Sequence, residues 1–255
     1  MFLKSVLGAL ALALICASSP RAEAEPRIAL VIGNSHYTSE IGVLPNPVND
    51  ARLIAKTLKQ VGFQIISVED ADHAQLNRAI SALPALIGKA GPETAALVYY
   101  AGKGVQIEGR TYMLPIDASW KGPLAVDQQG VAVDTVLSAM ATAKTRILIF
   151  DASRRQPPTL AEETLEPGPP PPLTEAEARP GTIIAFAAAP GGIAVDGKGA
   201  NGPYAVAMSR AILTPGLTSN DVLRQVRIDV INATEEIQIP WDSSSLIDHF
   251  YFLPK

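Results

Sequence analysis

Four side chains in this sequence have types and positions that invite chemistry. Lys103 stands between Gly102 and Gly104 in "YYAGKGVQ", directly after an apolar run, and Asp151 and Ser153 stand two apart in "LIFDASRR", directly after another. Asp50 follows the Asn46-Pro47 pair closely enough to sit in the first turn of a helix. A serine hydroxyl is a weak nucleophile until a base takes its proton, and a lysine amine is a base only when neutral. Neutrality at ordinary pH takes a shift of about 3 units from about 10.4, through desolvation or a neighbouring cation. The carboxylates nearby have the opposite sign. Plainer roles exist for them too: Asp50 favours a helix dipole and Asp151 ties down a strand end.

Other chemistries find little support. Cys16 is the single cysteine, and the histidines, His36, His73 and His249, fall in separate segments without ligand spacing. Zinc chemistry therefore has no basis, and no G-x-S-x-G elbow marks an ordinary serine hydrolase. Gly192 to Gly199 fits a phosphate-loop pattern except that Gly199 replaces the required Ser or Thr, and Gly197, Gly199 and Gly202 fit a dinucleotide fingerprint. Neither lies directly between a strand and a helix, so the stretch reads as an ordinary loop. No metal or cofactor is expected. A formal charge of −4 without basic runs argues against nucleic-acid binding.

The elements that must position these residues are legible from hydrophobic patterning. With 255 residues, 47% apolar and 18% charged, the chain can build one well-buried core. Apolar runs at 27–33, 63–68, 94–102, 146–151 and 182–189 read as buried strands, and a last strand is expected within "HFYFL" at 249–253. Between them, helical spacing follows an Asn46 cap with Pro47 at the first position and continues until Gly62. Further helices are expected around Leu76 to Ile87, where Pro84 should introduce a kink, around 133–141, near 203–213 and at 219–233. "VQIEGRTYML" reads as a hairpin turning at Glu108-Gly109. Alternating buried strands and amphipathic helices imply a mainly parallel sheet covered on both faces. Ligands of such sheets bind outside the carboxyl ends of the strands, where Lys103, Asp151 and Ser153 all fall.

Two segments stand apart from that domain. Residues 1–24 combine Lys4, an apolar run from Val6 to Ala17 and the small-residue site Ala22-Glu23-Ala24, which together read as a secretory signal. The apolar run is shorter than the roughly 20 residues needed to cross a bilayer. The expected mature domain is then 25–255, periplasmic or secreted, with no stable membrane anchor. Residues 155–181 are dense in proline and glutamate and read as an exposed, mobile loop.

The segments around Lys103 and Ser153, together with "ALVIGNSHY", "NPVNDA", "GRTYMLPIDA" and the closing "PWDSSSLIDHFYF", resemble the caspase-like family of metacaspases and their bacterial relatives. The resemblance runs in order from Arg27 to Phe252. It implies a three-layer α/β/α caspase-like fold with a mainly parallel sheet. It also exposes two departures: peptide-cleaving members carry His in Y-x-G-H-G and Cys in D-x-C, where this chain has Lys103 and Ser153. In basic-specific members the aspartates matching Asp50 and Asp151 line the pocket that selects Arg or Lys. Their field would keep Lys103 protonated, which opposes a Ser-Lys dyad.

The resemblance thus implies an exported pseudopeptidase that binds basic peptide segments without cutting them, or that regulates an active caspase-like relative. Pairing of Lys103 with Asp151 or Asp50 would close even that pocket. The alternative is an active peptidase for Arg or Lys, with Ser153 as nucleophile, Lys103 as base and the backbone N–H of Gly104 or Gly102 as oxyanion donor. Export is directly testable: protein recovered from a Gram-negative periplasm should begin at Glu25 by intact-mass analysis and react with no thiol reagent. Retained Met1 would contradict a cleaved signal.

Overall fold

The computed structural model describes residues 25–120, 128–152 and 179–255. The expected signal segment, Ser153 and all but the last residues of the 155–181 loop therefore lie outside the described residues. Elements follow in the order β1 (Arg27–Gly33), α1 (Pro47–Gln60), β2 (Gln64–Glu69), α2 (His73–Ala90), β3 (Ala95–Ala101), β4 (Gly104–Ile107) and β5 (Arg110–Met113). Then come β6 (Val131–Ala132), α3 (Val133–Ala139), β7 (Thr145–Asp151), β8 (Thr182–Phe186), α4 (Pro203–Ile212), α5 (Ser219–Ala233) and β9 (Trp241–Ser244). Among the described residues no helix is long and apolar enough to cross a membrane.

The main sheet has the order β2-β1-β3-β7-β8-β9, parallel throughout except for the antiparallel β9. Strand β3 shows why the apolar runs are continuous: all seven of its residues are buried, so both faces need apolar side chains. Leu97 and Tyr99 pack with Ile54, Leu58, Met208 and Val226 of α1, α4 and α5. Val98 and Tyr100 pack with Leu76, Leu83, Val136 and Leu137 of α2 and α3 on the opposite face. The architecture is the expected α/β arrangement of helices on both faces of a mainly parallel sheet.

Local signals explain most boundaries. Helix α2 begins with a reciprocal capping box in which Asp72 accepts from the Gln75 N–H at 2.7 Å and Gln75 accepts from the Asp72 N–H at 3.0 Å. It runs on through Pro84 to Ala90 as one element. The β4–β5 hairpin turns at Glu108 and Gly109, both with positive φ (48° and 81°), as its two-residue loop requires. Strand β6 pairs with β5 to complete a small second sheet that hydrophobic patterning does not reveal.

Three expectations need correction. The last strand is not in 249–253: Phe250 and Phe252 are buried core side chains, and Tyr251 makes only an isolated bridge to Thr218. The strand is instead Trp-Asp-Ser-Ser, β9, whose polar, half-exposed character suits a sheet edge. Asn46 does not cap α1 with its side chain, which turns away to donate to the Asp196 carbonyl. The fifth strand ends at Phe186 rather than Ala189.

Two ties bind the sheet ends. At the amino edge the Arg27 guanidinium donates to the carbonyls of Val61 at 3.1 Å, Phe252 at 2.7 Å and Tyr251 at 2.8 Å, and it covers the rings of Phe63 and Phe250. At the carboxyl edge the fully buried Asn34 accepts from the Ala71 N–H at 2.9 Å and donates to the Leu114 carbonyl at 3.1 Å. Asn34→Ala strands the buried Ala71 N–H, while the Leu114 carbonyl keeps the Tyr100 hydroxyl at 2.9 Å, so a loss of about 1–3 kcal/mol is expected in urea unfolding. An unchanged midpoint would show that water replaces the amide.

Candidate functional site

The parallel register lines up the carboxyl edge: Gly33 is paired with Ala101, and Ala101 with Asp151. Lys103 follows that row by two residues. Its position is fixed by tyrosine hydroxyls from two directions. The Lys103 N–H donates to the Tyr37 hydroxyl at 2.7 Å, and its carbonyl lies 2.7 Å from the Tyr100 hydroxyl, which is 3.1 Å from that of Tyr37. The Leu114 N–H donates to the same Tyr100 oxygen at 3.1 Å and to the Lys103 carbonyl at 3.1 Å. These buried hydroxyls explain the preceding glycine. A Cβ on Gly102 would fall 2.5 Å from the Tyr37 hydroxyl oxygen and 2.8 Å from that of Tyr100.

Asp50 and Asp151 reach the same cleft from α1 and β7. The cleft has a volume of about 560 Å³, and its lining includes Asp50, Asp151, Asp196, Lys103, Gly104 and Trp120. Asp50, 5% exposed, accepts at one oxygen from the Asn201 side chain and the Gly202 N–H, each at 2.9 Å. Asp151 keeps part of its surface toward the cleft and accepts from the Tyr99 hydroxyl at 2.6 Å. The alternative in which Lys103 fills the pocket is not realised: among the described residues Lys103 belongs to no ion pair.

Burial sets the electrostatics. It is the main cause that pushes Asp151 up to about 8, reinforced by the Asp50 charge and only partly opposed by the Tyr99 hydrogen bond. Burial likewise raises Asp50 to about 6, against the hydrogen bonds from Asn201 and Gly202, while the Asp196 charge adds to the rise. Both rises favour a proton shared between the two carboxyls over full ionisation of the pair. The anionic field expected from sequence is therefore weaker. A bound cation would restore it by expelling that proton. Among the described residues no group of three or more His, Cys, Asp or Glu is arranged to hold a metal ion.

The structure thus brings Lys103, Asp50 and Asp151 to one cleft, while Ser153 lies outside the described residues. Asp196, Asn201, Tyr99 and Trp120 escaped notice in the sequence. Asp196 and Asn201 sit in the glycine-rich stretch, which is an irregular connection as expected but folds onto Asp50; Val195 N–H is pinned to the buried Gln238 at 3.0 Å. A usable signal existed for Tyr99: a tyrosine inside a fully buried strand needs a partner for its hydroxyl.

An α/β domain with mixed charges gathered in one cleft at its carboxyl edge defines the class, and comparison supplies the family. The caspase-domain family model matches residues 26–251, and the chain belongs to that family. It is 28% identical over 127 residues to the human mucosa-associated lymphoid tissue lymphoma translocation protein 1, covering 50% of this chain but 15% of that protein. The mouse homologue matches at the same identity over 127 residues, 50% of this chain and 14% of the relative. Caspase-1 from Spodoptera frugiperda has a similar fold, with a TM-score of 0.65 at 15% identity over 91% of each chain.

Because the carboxyls of Asp50 and Asp151 are raised above the carboxylate range, the native state binds more protons than the unfolded chain between about pH 4 and 8. Stability should therefore fall as pH rises through that window. Asp151→Asn keeps an acceptor for Tyr99 and removes most of the slope, raising Tm by about 5 °C at pH 8 and little at pH 4 in circular-dichroism melts. A variant less stable than wild type at pH 8 would contradict the assignment.

Proposed function

We propose that this chain is an exported caspase-domain pseudopeptidase that holds basic peptide segments in an acidic cleft without cleaving them. The observation that carries the reading is that Lys103, which stands where the family's peptidases carry histidine, lines the same cleft as Asp50 and Asp151. The carboxyls give a guanidinium or ammonium a binding place, and the residue beside them is not suited to take a proton from a nucleophile. Ser153, where those peptidases carry cysteine, compounds the loss. One such substitution weakens a catalytic pair, and two leave a fold kept for binding or for regulating an active relative. Export to the periplasm or medium follows from the signal-like residues 1–24.

Buried carboxyls suit this role on energetic grounds. A shared proton avoids two buried charges in the cleft, and a basic side chain brought beside the carboxyls makes full ionisation favourable. Binding should release that proton near neutral pH. The same cost discourages anionic segments, so selection against the wrong ligand is built into the pocket.

Reversion tests the reading. Lys103→His with Ser153→Cys restores the imidazole and thiol that the family's peptidases carry, and weak cleavage of fluorogenic peptides after Arg or Lys should appear. Each single reversion should do little, because nucleophile and base act as a unit. Adding Asp151→Asn to the double revertant should cut that turnover by about tenfold or more. Wild-type turnover abolished by Ser153→Ala would overturn the pseudopeptidase reading and establish the Ser-Lys dyad in its place.

A further inference from the structure

The cleft carries charge of both signs without internal neutralisation. Asp50, Asp151 and Asp196 line it together with Lys103, yet Lys103 pairs with no carboxylate among the described residues. The Lys103 main chain and the Asp50 carboxyl are each held by other groups. Hydroxyls of Tyr37 and Tyr100 fix the Lys103 main chain at its N–H and carbonyl, while Asn201 and Gly202 hold Asp50 from the other side. An internal ion pair would be the cheapest way to satisfy these groups. Unpaired, they offer a cation site and an anion site within one cavity of about 560 Å³, a size usual for small-ligand pockets.

We infer that the cleft recognises the carboxyl-terminal residue of a peptide ending in arginine or lysine, the side chain facing Asp50 and Asp151 and the free α-carboxylate facing Lys103. This rests on the function proposed above and narrows it. An internal basic residue presents only an amide where a terminal one presents a carboxylate, so Lys103 discriminates between them. A primary amine is a compact point charge with three donors, well suited to a carboxylate whose exact orientation varies with the peptide. Gly104, which opens β4, lines the cleft beside Lys103 with backbone alone. Asp196, at the edge of the glycine-rich connection, adds negative potential to the entry of the basic side chain.

The ligand class has a chemical source. Any endopeptidase that cuts after Arg or Lys releases such carboxyl termini, so the reaction that supplies this ligand is basic-specific proteolysis. The chain then acts downstream of cleavage, retaining or sensing the new end.

The experiment is fluorescence anisotropy with fluorescein-labelled peptides that differ only at the end: a hexapeptide ending in Arg with a free carboxylate, the same with a carboxamide, the same extended by two alanines, and the hexapeptide with Leu in place of Arg and a free carboxylate. The free-acid Arg peptide should bind about tenfold or more tighter than the amide and the extended peptide, and the Leu peptide should bind weakest. Lys103→Met should weaken the free-acid peptide and leave the amide unchanged, bringing the ratio near one, while Lys103→Arg should keep the preference. Asp151→Asn should weaken acid and amide alike. Equal binding of acid and amide by the wild type overturns this inference and leaves the proposed function standing. Failure of every Arg peptide to bind defeats both. Should Lys103→Met not fold, the wild-type acid-to-amide ratio and the Lys103→Arg variant decide the matter.

Discussion

Parallel pairing in β1, β3 and β7 sets Gly33, Ala101 and Asp151 side by side in one row, and every feature of the cleft is placed relative to that row. Neighbouring strands run about 4.8 Å apart, so a side chain at the end of β7 is necessarily close to the turn that leaves β3. A slip of one residue in either pairing would turn Asp151 to the opposite face, toward α2 and α3, away from Asp50. The alternating packing of Tyr99 and Tyr100 on opposite faces depends on the same register. One hydroxyl then reaches Asp151 on the side of α1, and the other reaches the Lys103 carbonyl on the side of the small sheet.

Much of this was legible in the sequence because it rests on local patterning. The core strands are continuous apolar runs, since both faces of the sheet are covered, and the capping and turn signals at Asp72, Glu108 and Gly109 act within a few residues. The placement of Lys103 and Asp151 at one edge followed from strand direction alone. What escaped was non-local. Strand β9 has the composition of a loop, because an antiparallel edge strand paired on one side needs little apolar character, whereas "HFYFL" has the composition of a strand but serves the core through Phe250 and Phe252. The Asn46 side chain suits a cap by type, yet a tertiary acceptor, the Asp196 carbonyl, outcompetes the helix end. Likewise the glycine-rich stretch near residue 200 has no periodicity, and only the fold brings Asn201 and Gly202 against Asp50.

The cleft also illustrates a trade between stability and recognition. Two carboxyls buried near each other weaken the empty protein at high pH, and their burial is the main reason both protonation equilibria move upward. Strain of this kind persists at sites where a ligand relieves it. Asn201, the Gly202 N–H and the Tyr99 hydroxyl offset part of the cost without neutralising it, since each is a neutral donor.

Arg27 has a bearing on how the chain assembles. Its guanidinium joins β1, among the earliest residues of the domain, to the carbonyl of Phe252, a sequence separation of 225. Strand β1 lies inside the sheet between β2 and β3, so its amino edge is closed by a contact far along the chain. Long-range closures of this sort slow folding, because loop entropy is lost before the contact rewards it. Without Tyr251 and Phe252 the cleft residues would remain, but the guanidinium would lose two of its three carbonyl acceptors and keep only that of Val61.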